Sequence, residues 1–476
     1  MFLIVFLSYY LLLLVVSYVS GRLVKGGKSE FYSGTRHSPW WLVAIGMVGS
    51  SISGVSLVSV PGMVRDSAFA YMQMVLGFFF GYLIIAYVLL PIYYRYRLTS
   101  IYSYLGERLG DASHRTASAF FIVSKMMGAA VRFYVVALIL HQLVLVRYGV
   151  PFPLTVAGLA LMMWLYTRRS GIKSIIYTDA LQTVCLVLCV VAMCGYVMRD
   201  MAVLPDQAWR MMQAEGLTQC FNFDDWHAGA YFWKMFVSGI FIPVVMTGLD
   251  QDMMQKNLTC SNLAQAQKNM ITYGICFVPV NALLLFLGGL LMIFAQNNGI
   301  TLPARSDVIL PTLASAHLGT AVALLFMVGL VAAAFSSADS ALTSLTTTIV
   351  LDQIRPDEQH EARTRKITHI AVTVVFCLVI CAIDIFNSTT LLDAVYTIAS
   401  YTYGPLLGLF CLALFTNRRP VNNAAVPFVC AAAPVLCWGL KLIAKTFGGY
   451  EFGYELLLIN AFFTFLPLFV MSKVEK

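Results

Sequence analysis

Hydroxyls, a handful of charges and several helix-breaking residues punctuate an otherwise apolar chain, and their spacing is the first guide to chemistry. The densest run is Ala332-Ala333-Ala334-Phe335-Ser336-Ser337-Ala338-Asp339-Ser340, followed by Thr343, Ser344, Thr346, Thr347 and Thr348. A hard cation such as sodium asks for oxygen ligands, and adjacent serines on one helix offer two hydroxyls beside carbonyls freed from a neighbouring broken helix. The competing fate of any one serine is a hydrogen bond back to the carbonyl of the preceding turn. Asp179 sits inside an apolar run, about 12 Å along a helix from the end of its span at 1.5 Å per residue. An ionised carboxylate at that depth is costly and marks function. Lys125 and Arg132, seven residues apart, share one helix face. A buried guanidinium must be paired and its planar fork suits a carboxylate, so Arg132 either receives an anionic solute or closes an internal pair with Asp339 or Asp179. Lys125 is expected to snorkel or to pair internally. Ser51, Ser53 and Ser56, with Gln73, offer neutral hydrogen bonds to a hydroxylated or amide-bearing solute. Phe78, Phe79 and Phe80 are expected to pack or face lipid rather than to gate.

These residues need a membrane bundle to hold them. The chain has 476 residues, of which 59% are hydrophobic and 11% charged, with a mean hydropathy of +0.79. Soluble domains carry about 25% charged residues. The apolar blocks suit helices that cross ~30 Å of hydrocarbon and predict about thirteen spans, among them the second over 39–64, the fifth over 152–167, the seventh over 231–250 and the last over 455–472. An outer-membrane barrel would instead alternate over ~10-residue strands. No Lys or Arg precedes the first block, whereas Arg22, Lys25 and Lys28 follow it, so a retained helix with its N-terminus outside is expected. An odd number of spans puts the C-terminus inside. The loops this count assigns to the cytoplasm hold roughly threefold more Lys and Arg than the opposite side. The net charge of +8 is therefore an orientation signal, and no clustered basic domain supports nucleic-acid binding. The 11 cysteines are scattered without a CxxC pair and read as small core residues.

Two spans carry small and helix-breaking residues near their middles: Gly46, Gly49, Ser50, Ser51, Ser53 and Gly54 in the second, and Ser238, Gly239, Pro243, Thr247 and Gly248 in the seventh. They stand five places apart in the order of spans, so they fall at equivalent places in two units of opposite orientation, the pattern of inverted repeats with discontinuous helices. Close helix packing on small residues is the alternative reading for either span alone.

Several motifs together resemble the sodium:solute symporter family. Ala333 to Ser337, with Asp352 closing the span, is similar to one helix of that family. Thr247-Gly248-Leu249-Asp250-Gln251-Asp252, leading to Gln255-Lys256, resembles its Gly-x-Asp-Gln signature, with lysine where arginine is usual. Gly171-Ile172-Lys173 with Thr178-Asp179-Ala180-Leu181-Gln182 resembles a Thr-Asp-x-x-Gln motif. Leu98-Thr99-Ser100 with Arg108, and Gly404-Pro405-Leu406-Leu407-Gly408, complete a set covering about residues 36 to 416. The resemblance implies an all-α membrane protein with a five-plus-five inverted-repeat core like that of the leucine transporter. The expected parts are an extra helix and loop over 1–38, a first repeat over 39–198 and an extracytoplasmic loop over 199–230. A second repeat over 231–416 and two peripheral helices over 417–476 complete the plan. The implied sodium ligands are the carbonyls of Gly49, Ile52 and Ala333 with the hydroxyls of Ser336 and Ser337, and Asp179 follows. Some members place a serine at the position of Ala333 for a second ion, so one or two sodium ions stay open.

The expected function is sodium-coupled import of a small polar solute by alternating access across the inner (plasma) membrane. An organic acid or an acidic sugar such as sialic acid is favoured over a neutral sugar or amino acid. An enzyme or ATP-driven pump is disfavoured, since the sequence holds no Walker A loop, HExxH, GxSxG or GxGxxG. A transporter-derived sensor usually carries an added signalling domain, and here the chain ends four residues after the last span. The partners are then solute, sodium and lipid, with oligomeric state unread.

Overall fold

The computed structural model describes residues 2–22, 38–167, 171–386, 391–448, 450 and 452–474, so the basic segment expected at 23–37 lies outside the described residues. Helices dominate: Phe2–Arg22 (α1), Trp40–Ser51 (α2), Gly54–Ser67 (α3), Tyr71–Ile84 (α4), Ser103–Leu109 (α5), Asp111–Leu140 (α6), Phe152–Thr167 (α7), Gly171–Asp200 (α8) and Pro205–Ala214 (α9). They continue with Phe232–Pro243 (α10), Gln251–Asn257 (α11), Leu263–Asn297 (α12), Ile309–Ala316 (α13), Gly319–Thr348 (α14), Glu361–Phe386 (α15), Leu391–Phe415 (α16), Ala425–Gly448 (α17) and Leu456–Val470 (α18). A short antiparallel pair, Arg418–Pro420 with Ser472–Val474, ties the C-terminal tail to the end of α16.

Among the described residues nine helices are long and apolar enough to cross a bilayer, and two bent pairs raise the number to eleven. The expected spans 152–167 and 455–472 appear as shorter apolar helices, Phe152–Leu165 and Leu456–Val470. At 1.5 Å per residue such helices fall somewhat short of ~30 Å, and thirteen is reached only when both are counted.

The bent pairs are the expected discontinuous helices. Between α2 and α3 the chain turns by 63°. Ile52 (φ −84°, ψ 87°) and Ser53 (φ −79°, ψ 172°) leave the helical region, and the Ser53 N–H donates to Ser51 O at 3.1 Å. The Gly49 carbonyl is thereby left without its donor four residues on, which frees it for another partner. Between α10 and α11 the turn is 72°. There Pro243, which has no N–H to give, leads into a π-helical turn over Val244–Gly248, and Asp250 (φ −104°, ψ 119°) caps the next helix. Its carboxylate accepts from the N–H groups of Asp252 (2.9 Å) and Met253 (3.4 Å).

Not every small residue in these spans is a breaker. A Cβ on Gly49 would collide with the Thr183 hydroxyl of α8, and one on Gly239 with the Met74 carbonyl of α4. The packing alternative holds at those two positions. Their consequence is positional, because α8 lies directly on α2 as well as on α14, and α6 lies between α14 and α16.

Candidate cation and solute site

Asp179 of α8 is fully buried where four elements converge. Ser336 of α14 donates to Oδ1 at 2.8 Å, while Ser50 of α2 and Ser340 of α14 donate to Oδ2 at 3.0 and 3.3 Å. Lys256 of α11 completes the set, with Nζ 2.7 Å from Oδ2 and 2.5 Å from the Ser50 hydroxyl. The approach of α8 depends on Gly46, whose added Cβ would stand 3.2 Å from the Asp179 Cβ. Thr183 lies between the two helices, its single hydroxyl proton shared between Ile45 O of α2 at 2.9 Å and Asp179 O of its own helix at 2.7 Å. Ser337 keeps its hydroxyl on Ala334 O at 3.1 Å, the back-bonded arrangement, and Ala333 is buried on the same helix.

A cavity of ≈ 890 Å³, counted to its open mouth, adjoins this locus and shares Ser50 with it. Ser51, Ser53, Ser56 and Arg132 all line it, as do Lys125 and Asp250. Ser51 shares a 2.6 Å hydrogen bond with Tyr273, which in turn meets Tyr82 at 2.9 Å. Phe78 also lines the cavity and packs against Phe277 at 5.8 Å, whereas Phe80 is exposed.

The two basic residues of α6 behave differently. Lys125 is buried and internally paired, with Nζ 3.1 Å from both oxygens of Asp250 and 2.8 Å from Asp252 Oδ2. Asp250 also accepts from Tyr403 at 2.8 Å. Arg132 makes no ion pair or hydrogen bond among the described residues, so the internal partners considered for it, Asp339 and Asp179, do not hold it. Its planar fork is left to the cavity.

Gln73 requires a correction. It is buried at the start of α4, outside the cavity lining, and its amide is spent on backbone: Nε2 donates to Ala70 O (3.1 Å) and Ala230 O (3.0 Å), and Oε1 accepts from the Asn222 N–H (3.0 Å). It anchors the 199–230 segment. Lys256, Ser50, Ser340 and Asp252 stand in the motifs read from the sequence but were given no site role there, and the structure brings all four to Asp179 or to its lysine partner. Lys256 and Asp252 lie four apart beyond the seventh span, a usable signal only once that span is known to turn back into the bundle.

The family model of the "Sodium:solute symporter family" matches residues 31–426. The chain belongs to the sodium:solute symporter family. Among curated relatives, the sodium/sialic acid symporter SiaT of Proteus mirabilis is 22% identical over 450 residues, covering 89% of this chain and 86% of that one. A solved Na+-coupled sialic acid symporter, in a substrate-bound outward-open state, superposes with a TM-score of 0.83 at 18% identity, covering 100% of this chain and 99% of the other. Mhp1, a nucleobase-cation-symport-1 family transporter, aligns with a TM-score of 0.61 at 15% identity over 93% and 94% of the two chains. The architecture is thus the leucine-transporter-like fold, and as a sodium:solute symporter the chain is a sodium-coupled secondary transporter of the plasma membrane, not an enzyme.

Proposed function

We propose that the protein imports an acidic, hydroxylated solute of the sialic acid class together with sodium. The observation that carries this reading is Arg132, a guanidinium on the cavity wall that makes no ion pair or hydrogen bond among the described residues and feels Asp252 and Tyr403 only at longer range. An unpaired intramembrane cation is expensive, and a solute carboxylate held by both arms of the fork would relieve it. Ser51, Ser53 and Ser56 would serve the solute's hydroxyls and amide. The likeness to a sialic acid symporter agrees with that chemistry.

Sodium is assigned to the edge of the first helix break, against the carbonyls of Gly49, Ile52 and Ala333, the hydroxyls of Ser336 and Ser337, and Asp179. The repeats are assigned to 39–198 and 231–416 around this point, with the two breaks as their equivalent halves. The chain is oriented with its N-terminus outside and its C-terminus in the cytoplasm, as the distribution of Lys and Arg favours.

The test is a binding panel on purified protein by isothermal titration calorimetry, with N-acetylneuraminate, lactate, glucose, proline and myo-inositol, each in sodium and in choline. N-acetylneuraminate is expected to bind at least about tenfold tighter in sodium than in choline, and tighter than the neutral solutes. Preference for a neutral sugar or amino acid would overturn the acidic assignment.

A further inference from the structure

The cavity wall and the cation locus are joined by an alternating chain of buried charges: Asp250, Lys125, Asp252, Lys256 and Asp179. Its links are 3.1 Å from Asp250 to Lys125, 2.8 Å from Lys125 to Asp252, 3.6 Å from Asp252 to Lys256 and 2.7 Å from Lys256 to Asp179. Only the link between Asp252 and Lys256 is longer than a hydrogen bond. It lies within one helix, four residues apart, so the ammonium can change partners by rotating its four-carbon stem. Two of its three donors are engaged, by Asp179 and Ser50, and among the described residues the next carboxylate is that of Asp252, with Oδ1 at 3.6 Å.

We infer that Lys256 is a tethered competitor of sodium at Asp179, and that Asp252 receives it when sodium binds. This rests on the sodium locus proposed above. A cation seated against Asp179 and Ser50 neutralises the carboxylate that holds Lys256 and repels its ammonium. Asp252, 3.6 Å away on the same helix, is the next acid to Lys256 and acts on it more strongly than the buried Asp339 does, so it is the better placed receiver and no proton needs to be released. Once Asp252 is shared with Lys256, its hold on Lys125 slackens. Lys125 stands at the cavity wall, so the cavity becomes more positive beside Arg132 when sodium is present. Lys256 and Asp252 are thus positioning residues through which sodium raises affinity for an anionic solute. Asp250 can stay fixed throughout, because Tyr403 and two backbone N–H groups hold it independently of Lys125.

The experiment is a sodium titration of purified full-length protein without solute, read by calorimetry. Lys256→Gln is expected to tighten sodium binding at least about tenfold, and Asp252→Asn to weaken it at least about tenfold although Asp252 does not touch Asp179. The double variant is expected to match Lys256→Gln, because Asp252 acts only through the lysine. Lys256→Arg keeps a tethered cation and should restore the wild-type response to Asp252→Asn. Sodium affinity in Asp252→Asn within about threefold of wild type, or additive behaviour of the double variant, would overturn the handover. If Asp252→Asn fails to fold, Lys125→Gln tests the same exchange: it leaves Asp252 to Lys256 and should tighten sodium binding, and no change would overturn it. Ser336→Ala separates the two readings. Unchanged sodium affinity there removes the sodium locus itself, whereas weakened affinity alongside an indifferent Asp252→Asn removes the handover alone.

Discussion

Arg132→Gln is expected to lower kcat/KM for N-acetylneuraminate uptake by about 30-fold to a few thousand-fold, the equivalent of the 2–5 kcal/mol lost when one partner of a buried charge pair is truncated. The fall should appear mainly in KM, since the guanidinium binds the solute rather than driving the conformational change. Arg132→Lys keeps the charge but not the two-pronged geometry, and should recover only part of the loss. Sodium binding without solute should change far less than solute binding, because Arg132 makes no ion pair or hydrogen bond with the groups around Asp179 and acts on Asp252 only at longer range. Initial uptake rates in liposomes, with a calorimetric sodium titration beside them, give both numbers. A KM within threefold of wild type in Arg132→Gln would remove Arg132 from the solute site.

Asp179→Asn should abolish sodium-dependent uptake and also destabilise the protein. Lys256 would be left buried without its nearest carboxylate, and breaking such a pair costs about 3–5 kcal/mol. Ser336→Ala removes one hydrogen bond to the Asp179 carboxylate, worth about 1.5–3 kcal/mol, and leaves the ion pair in place, so it should be less destabilised than Asp179→Asn. If Ser336 ligates sodium, that variant nonetheless needs at least about tenfold more sodium for half-maximal uptake, a shift of about 1.4 kcal/mol. Asp179→Asn combined with Lys256→Gln removes both charges and should regain thermal stability without regaining sodium dependence. Melting temperature and the sodium concentration for half-maximal uptake separate the two effects. Recovery of sodium dependence in the double variant would exclude Asp179 as a ligand.

The parts of the site legible in the sequence are those the bilayer makes conspicuous. An acid inside an apolar run, a pair of serines on a long helix and breakers in two spans all stand out against hydrocarbon, and Asp179, Ser336 and the bends at Ser53 and Asp250 are where those signals point. Lys256 was hidden by geometry. The seventh span was expected to end at Asp250, which would put Lys256 in the aqueous loop. The 72° turn instead carries α11 back across the bundle until Lys256 meets Asp179. Gln73 was hidden for a related reason, since its partners come from Asn222 and Ala230, in a loop whose path no periodicity predicts. The Gly46 and Gly49 pair shows the limit of composition. The same residue type that would permit a break is used here to bring α8 onto α2, and the chain breaks three residues later.

The decisive measurement is accumulation of labelled N-acetylneuraminate by purified protein in sealed liposomes, comparing an inward sodium gradient with equal sodium on both sides. Coupled symport predicts an internal concentration above the external one only while the sodium gradient lasts, and simple equilibration when sodium is equal. Accumulation that ignores the sodium gradient and follows a proton gradient, or solute binding without any flux, would contradict it.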